Sequence, residues 1–550
     1  MDKILSTELS QTTFRNKYKH DQCETWEDLA RTLVEQVVGG KVPKDVKEAI
    51  YEAIRDMQFM PGGRYLYYAG RPVKFFNNCY LLRAEEDTRE DWADLSWKSE
   101  SCLVTGGGIG VDYSVYRPEG STIGRTGGQA SGPVAKMLML NEIGRHVMQG
   151  GSRRSAIYAS LNWQHQDVPL FLKAKDWHSM PVGSTGKSVA DIKNEDFNFH
   201  APLDGTNVSV NYDTKWLLDY YKTGDPGEVF RQNVSQALRT GEPGFSFNFY
   251  DKENETLRNA CTEVTSEDDS DVCNLGSVNL SRIPDLPTMA RVCELGTIFL
   301  LCGTLEADLP YEKVVKVREK NRRLGLGLMG VHEWLVQRGY KYEVTEELHK
   351  WLDVYRGVSD DTSRRMADNL SISRPVANRA VAPTGTIGML ADTTTGIEPV
   401  FAVAYKRRYL KNGKQWKYQY SVDGAARRLI EKYDVNPDKI ESASHLATDY
   451  ERRIKFQADV QDYVDMAISS TINLPPKGAQ SFSEEEFSAT LAKYASRLRG
   501  FTCYPDGSRG GQPLTSVPYG EAQDKLGQEF DEHVEVNDIC DITGGGYCGS

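Results

Sequence analysis

From about residue 59 to about residue 520, short apolar runs and helical patterns take turns, with glycine punctuating many of the changes. Between 59 and 135 the runs FMPGGRYLYYAG, NNCYLL, TGGGIGVDYS and GRTGGQASGP are short and glycine-broken, which places strands and loops there. VAKMLMLNEIGRHVM then has helical spacing, QGGSRRSA breaks it, and AIYASLNW is strand-like. VREKNRRLGLGLMGVHEWLVQRG is helical after its glycines, and RAVAPTGTIGML gives a strand, a turn and a helix start. Such alternation builds an α/β architecture around a substantial sheet. Ahead of it, ETWEDLARTLVEQVVGG and DVKEAIYEAIRDMQ carry apolar residues at three- and four-residue spacing, so residues 1–70 form a helical N-terminal region. Behind it, residues 521–550 turn acidic and then glycine-rich, as a flexible tail does.

Several classes of function fall away on charge and composition. With 78 acidic and 66 basic residues the net charge is -12, which disfavours nucleic acid or an anionic membrane as a partner. The start MDKILSTELSQTTFRNKYKH lacks an apolar signal run, and the sequence has no window of eighteen apolar residues. Ten cysteines in 550 residues are too few for a disulfide scaffold, so the simplest setting is a reducing cytoplasm. No Cys-x-x-Cys spacing occurs, and no tightly held metal is expected. GSTGKS at 183–188 ends like a phosphate loop, but Pro181 stands where that loop needs its first glycine.

The chemistry concentrates in RNACTEVTSEDDSDVCNLGS, residues 258–277. If 259–263 is extended, Asn259, Cys261 and Glu263 share one face. A carboxylate beside a thiol disfavours the thiolate, which is wrong for a protease-type nucleophile, and no histidine lies near. The set suits a thiol that reacts without ionising, with Glu263 as general base toward a bound hydroxyl and Asn259 as a positioner. The bland alternative makes Cys261 and Cys273 small buried hydrophobes. Cys273 also serves as half of a two-electron dithiol, for which Cys79 in NNCYLL is a candidate partner. Cys540 and Cys548 sit on the glycine-bearing tail, where thiols make poor core and good exchange partners. In APTGTIGMLADTTTGIEP, the turn after Pro383 offers amides and hydroxyls either to a phosphate or to an ordinary helix cap. Cys23, Cys102, Cys293 and Cys302 are expected to be buried structural thiols, and Cys503 to line the site.

Taken together, these pieces resemble the catalytic chain of a ribonucleotide reductase. The residues responsible are GRYLYYAG with NNC at 63–79, TGGGIG at 105–110, GGQASGP at 127–133, QGGSRRSA at 149–156 and TGEPGF at 240–245. NACTE at 259–263, CNLGSVNL at 273–280, RRLGLGLMG at 322–330, APTGTI at 382–387 and GIEP at 396–399 complete the set, in the family's order. The resemblance implies a ten-stranded α/β barrel over 71–520, made of two antiparallel five-stranded halves with a finger loop in its centre. It implies that Cys261 becomes a thiyl radical, that Glu263 is the base on the substrate's 3′ hydroxyl and that Asn259 orients the substrate. Cys79 and Cys273 match the reducing pair, Cys540 and Cys548 the tail pair that resets it by way of a thioredoxin- or glutaredoxin-like reductant. Pro383, Thr384, Gly385 and Thr386 match the substrate's phosphate turn. Ser131, Gly132, Gly150, Gly151, Arg153 and Arg154 sit where the family reads an allosteric deoxynucleotide effector. The start has no room or signature for the family's ATP cone, so no activity switch of that kind is expected, and the resemblance admits a homodimer.

The family divides by radical source. One branch relays the radical from a ferritin-like subunit through two adjacent tyrosines near the carboxyl end, yet here Tyr504 stands between Cys503 and Pro505 and no tyrosine pair follows residue 221. The short Cys261-to-Cys273 spacing and DGSRGGQP resemble the adenosylcobalamin-dependent branch instead, although Ala260 and Thr262 replace that branch's usual Pro and Gly. Adenosylcobalamin is therefore the expected cofactor, and a catalytic subunit served by a separate radical-generating subunit is the alternative.

Overall fold

The computed structural model describes residues 4–147, 155–196, 199–411, 415–476, 479, 482–506, 508 and 514–531. Nine strands carry the central sheet: β1 (Cys79–Leu82), β2 (Gly108–Asp112), β3 (Ile157–Asn162), β4 (Thr206–Tyr212), β5 (Gly244–Phe247), β6 (Asp271–Asn279), β7 (Leu324–Met329), β8 (Thr471–Leu474) and β9 (Gly500–Pro505). β1 to β5 pair in chain order, all parallel. β6 is parallel to β7, and β8 to β9. The extended segment 379–381 closes the gap between them, through the parallel bridges Leu326↔Arg379 and Val381↔Ile468. The two halves meet at antiparallel seams, β1 against β6 and β5 against β9. The result is a closed ring of nine strands and one bridged segment, the ten-stranded barrel of two antiparallel halves that the resemblance implied. A short strand, Phe59–Pro61, extends β6 beyond the seam.

Side chains alternate across each strand, which sorts the apolar residues into an inside and two outsides. Cys79, Leu81, Cys273 and Leu275 face inward with Leu257 and Val264 of the central loop, while Tyr80 and Leu82 face the helices outside β1–β5. The opposite outer layer joins the N-terminal helices to Leu286–Glu306 and Glu346–Asn369. In that layer Trp26–Val37 starts at a Thr25–Asp28 capping box and buries Trp26, Leu29, Ala30, Leu33, Val34 and Val37, the stripe its spacing announces. Leu286–Glu306 is long and apolar enough to cross a membrane by length and composition. Here most of it is buried among the strands and helices of the second half.

Two local expectations change. LGLGLM is strand β7, not the approach to a helix; Gly325 and Gly327 sit where a Cβ would come within 3 Å of neighbouring Leu275 and Ala380 atoms. The helix after the glycines is the short Val331–Gln337. Beyond the barrel, a hairpin of Ala404–Lys411 and Gln415–Val422 is flanked by strands Leu514–Ser516 and Glu529–Asp531. Regular structure thus continues past residue 521, where the sequence placed the start of a tail.

Candidate active site

The loop inside the barrel is a small hairpin. Leu257–Arg258 pairs antiparallel with Thr265–Ser266, and Thr262 N–H donates to the Asn259 carbonyl at 3.0 Å to close a turn. The extended conformation expected for 259–263 is therefore replaced by a turn, with Thr262 at φ +71°. A β-branched residue in the left-handed region is a real outlier. The Asn259 side chain completes the turn, its Oδ1 accepting from Val264 N–H at 2.9 Å. Asn259 and Glu263 are brought together by closure of the chain and not by alternation. Gly110 lets the hairpin pass, because a Cβ there would sit 1.6 Å from the Arg258 carbonyl oxygen. On the next wall Asn207 Nδ2 donates to the Ala260 carbonyl at 3.1 Å. The glycines of 105–110 and the hairpin are thus one fitted feature.

The thiols gather at one seam. Cys79 and Cys273 are direct register partners where β1 meets β6. Directly opposed residues of an antiparallel pair hold their Cβ atoms about 4.5–5.5 Å apart, close to the about 3.5–4.5 Å a disulfide needs. Asn259 Nδ2 donates to Cys79 Sγ at 2.9 Å, and Cys273 Sγ–H donates to the Asn274 carbonyl at 3.3 Å. Burial pushes both thiols well above their ordinary range, helped by Glu263 at Cys79 and by Asp271 at Cys273. Cys261, at the tip of the turn, is only half-buried, and none of the eight described cysteines is in a disulfide.

Glu263 is fully buried, and apart from the Asn259 side chain, which eases its charged form, its carboxylate oxygens have no hydrogen-bond partner. Burial raises its carboxyl from 4.5 to about 7. A buried acid with open acceptor positions is costly to the fold, which marks Glu263 as a candidate functional residue.

The phosphate-turn residues lie where segment 379–381 leaves the barrel's inner cluster, which includes Ala380 and Ala382. Thr384 adopts φ +53° and its Oγ1 accepts from Gly396 N–H at 2.8 Å, tying the turn to GIEP at 396–399. A Cβ on Gly385 would meet nothing within 4 Å, so that side of the turn is open. Pro383 precedes the turn, and Thr386 Oγ1 receives Lys17 Nζ at 3.3 Å from helix Glu8–Lys17. That basic contact comes from far outside the motif and nothing in the sequence announced it.

Other expected residues fall elsewhere. Ser131 and Gly132 open the outer helix Gly132–His146, and a Cβ on Gly132 would lie 2.7 Å from Asp167 Oδ2. Gly150, Gly151, Arg153 and Arg154 lie outside the described residues, as do Cys540 and Cys548. Cys503 packs with Phe501 in the outer cluster, where burial pushes its thiol up to about 12, so it does not line the lumen; alternation turns Thr502 and Tyr504 inward instead. Cys23, Cys102, Cys293 and Cys302 are buried as expected. Ser188 of GSTGKS is a helix cap whose side chain accepts from Asp191 N–H. Arg258 is the functional neighbour that sequence reasoning passed over: a fully buried arginine at the base of the hairpin.

Comparison with known proteins agrees with this architecture. Residues 77–351 and 376–503 match the family described as ribonucleotide reductase, barrel domain. The chain is 27% identical over 515 residues to a vitamin B12-dependent ribonucleoside-diphosphate reductase of Mycobacterium tuberculosis (strain CDC 1551 / Oshkosh), covering 84% of this chain and 72% of that one. It is 27% identical over 530 residues to the protein of the same name from Thermoplasma acidophilum, covering 87% and 67%. In structure it superposes on the class Id ribonucleotide reductase alpha subunit of Actinobacillus ureae with a TM-score of 0.71, at 16% identity, over 91% of this chain and 97% of that one.

Proposed function

The chain belongs to the ribonucleotide reductase family, and from that premise we propose that it converts ribonucleotides to 2′-deoxyribonucleotides with adenosylcobalamin as its radical source. One observation carries the reading. A buried acid with unfilled acceptors, Glu263, shares a turn with a half-exposed thiol, Cys261, and through Asn259 touches one member of an opposed cysteine pair. Cys261 as a thiyl radical takes the 3′ hydrogen atom of the substrate, and Glu263 takes the proton of the 3′ hydroxyl. The 2′ hydroxyl leaves as water with the proton of one thiol. The hydrogen of the other thiol goes to the 2′ carbon as Cys79 and Cys273 give two electrons and close to a disulfide, and Glu263 returns its proton to the 3′ oxygen. Cys261 then returns the hydrogen atom to the 3′ carbon. The raised thiols suit this chemistry, since each step needs S–H and not thiolate.

Relatives named as vitamin B12-dependent support adenosylcobalamin here. When bound, that cofactor supplies the carbon radical that removes the Cys261 hydrogen. The chain fits it, because Cys261 and Thr262 are half-buried at the tip of the turn between the buried Ala260 and Glu263. Thr502 and Tyr504, on the inward face of β9, would border it; the turn reaches β9 at Gly500, where a Cβ would be 3.8 Å from Thr262 Oγ1.

The remaining parts follow from the same reading. Pro383, Thr384, Gly385 and Thr386 hold the substrate phosphates. Cys540 and Cys548 pass electrons from a thioredoxin- or glutaredoxin-like protein to the internal pair. Ser131, Gly132, Gly150, Gly151, Arg153 and Arg154 read a deoxynucleotide effector in a homodimer, in a reducing cytoplasm. The chain divides into a helical region 1–70, the barrel from residue 71 and a redox segment carrying Cys540 and Cys548 beyond the last described strand, Glu529–Asp531.

The test is anaerobic incubation with cytidine di- or triphosphate and a dithiol, with and without adenosylcobalamin. Deoxycytidine product that requires the cofactor is expected, and Cys261→Ala should abolish it with nucleotide binding intact. Nucleotide binding without turnover would overturn the cofactor assignment.

A further inference from the structure

The guanidinium of Arg258 makes five hydrogen bonds, all to neutral acceptors. Nε donates to Ser246 Oγ at 2.8 Å, and Nη2 donates to Asn248 Oδ1 at 2.9 Å, the Arg499 carbonyl at 2.6 Å and the Phe247 carbonyl at 3.4 Å. Nη1 donates to the Thr262 carbonyl at 3.3 Å. The first four acceptors belong to β5, to the residue after it and to the residue before β9, at the barrel's second antiparallel seam. The fifth is the backbone of the residue held at φ +71° inside the active-site turn. One position along, Asn259 holds the first seam through Cys79. Two adjacent residues therefore suspend the Cys261 turn between the two seams.

Among the described residues no carboxylate lies within ion-pair distance of Arg258. Glu255, the carboxylate whose charge acts on it, is occupied by Arg499 at 3.0 Å. Burial and the neighbouring Arg499 pull the guanidinium below its ordinary range, to about 9. A buried cation without a counter-ion is expensive, and one of its bonds goes to the strained turn.

We propose that Arg258 is a positioning residue, clamping the strained Thr262 turn to the β5/β9 seam so that the Cys261 sulfur is held toward the substrate. The role rests on the reaction proposed above and is tested apart from it. The rate at which iodoacetamide alkylates Cys261, followed by mass spectrometry on protein without cofactor, reports the turn directly. Arg258→Met is expected to raise that rate about tenfold while leaving Cys23 unlabelled. It is also expected to lower kcat at least about tenfold while KM and the dissociation constant for cytidine diphosphate change less than about twofold. Arg258→Lys restores part of both. Thr262→Gly removes the strain that the clamp opposes, so labelling in Arg258→Met/Thr262→Gly stays within about threefold of wild type. If Arg258→Met does not fold, Ser246→Ala and Asn248→Ala, which leave the charge in place, are expected to raise labelling about threefold. Unchanged Cys261 labelling in folded Arg258→Met, Ser246→Ala or Asn248→Ala overturns the clamp. A wild-type protein that labels as expected yet never reduces ribonucleotide overturns the reaction and leaves the clamp standing.

Discussion

At Glu263 stability and chemistry pull in opposite directions. Its carboxyl is raised from 4.5 to about 7, so between those pH values the folded protein holds a proton that the unfolded chain has released. Stability from this group is full below about pH 4.5 and falls as pH rises toward 7, by up to about 3 kcal/mol. Under the proposed reaction turnover runs the other way, since a base must be deprotonated to accept the 3′ hydroxyl proton. The rate should therefore climb through about pH 7. Glu263→Gln should abolish turnover and flatten the decline of chemical-denaturation stability between pH 5 and pH 8; a wild-type curve already flat there would contradict the buried, unpaired carboxyl. The residues proposed for this site drew notice in the sequence because Asn, Cys and Glu at that spacing have few joint uses. Arg258 was not, since a charged residue in one sequence is normally solvated, and only the closed barrel shows that its fixed position leaves it no water.

At the scale of elements, spacing gave the right companions by the wrong route. Alternation in an extended strand would set Asn259 and Glu263 on one face, whereas the turn closed by Thr262 N–H brings them together. Local pattern could not reveal this, because Thr262 is at φ +71° and nothing in its side chain favours that conformation. Glycines carried the opposite lesson. Their clusters at 105–110 and 325–327 were visible as breaks, but Gly110, Gly325 and Gly327 lie within strands where backbone or side chain approaches too closely for a Cβ. Gly110→Ala must displace the Arg258 carbonyl or bend β2, and should cost about 1–3 kcal/mol in unfolding free energy. Because that carbonyl adjoins Asn259, kcat should fall at least about tenfold as well; a variant of full stability and full rate would show that the hairpin does not depend on the fit.

Across the whole molecule, fold class was recoverable because helix and strand signals alternate over most of the chain. Ring closure came through the family resemblance alone, since it depends on the short bridged segment 379–381, whose few extended residues carry no periodic signal. Leu286–Glu306 shows the same limit from another side: composition alone cannot separate a membrane span from the central helix of a large outer layer. The tail makes a prediction at this scale. Replacing Cys540 and Cys548 together with serine should leave dithiothreitol-supported turnover within about twofold of wild type and nearly eliminate turnover supported by thioredoxin; equal loss with both reductants would place those thiols elsewhere in the cycle.

The seam at which Cys79 faces Cys273 has a mechanical consequence. Under the proposed reaction a bond there would join β1 to β6, two strands separated along the chain by β2 to β5, so each oxidation would staple the two half-barrels and each reduction would release them. A cross-link over so long a stretch of chain stabilises by up to about 4–5 kcal/mol on the chain-entropy account. The spent form of the protein should therefore melt at a higher temperature than the form ready to react. A thermal melt of wild type against Cys79→Ser, each oxidised and reduced, would read out the electron inventory of the barrel as heat resistance, and an identical melt for all four samples would mean that the two sulfurs never join.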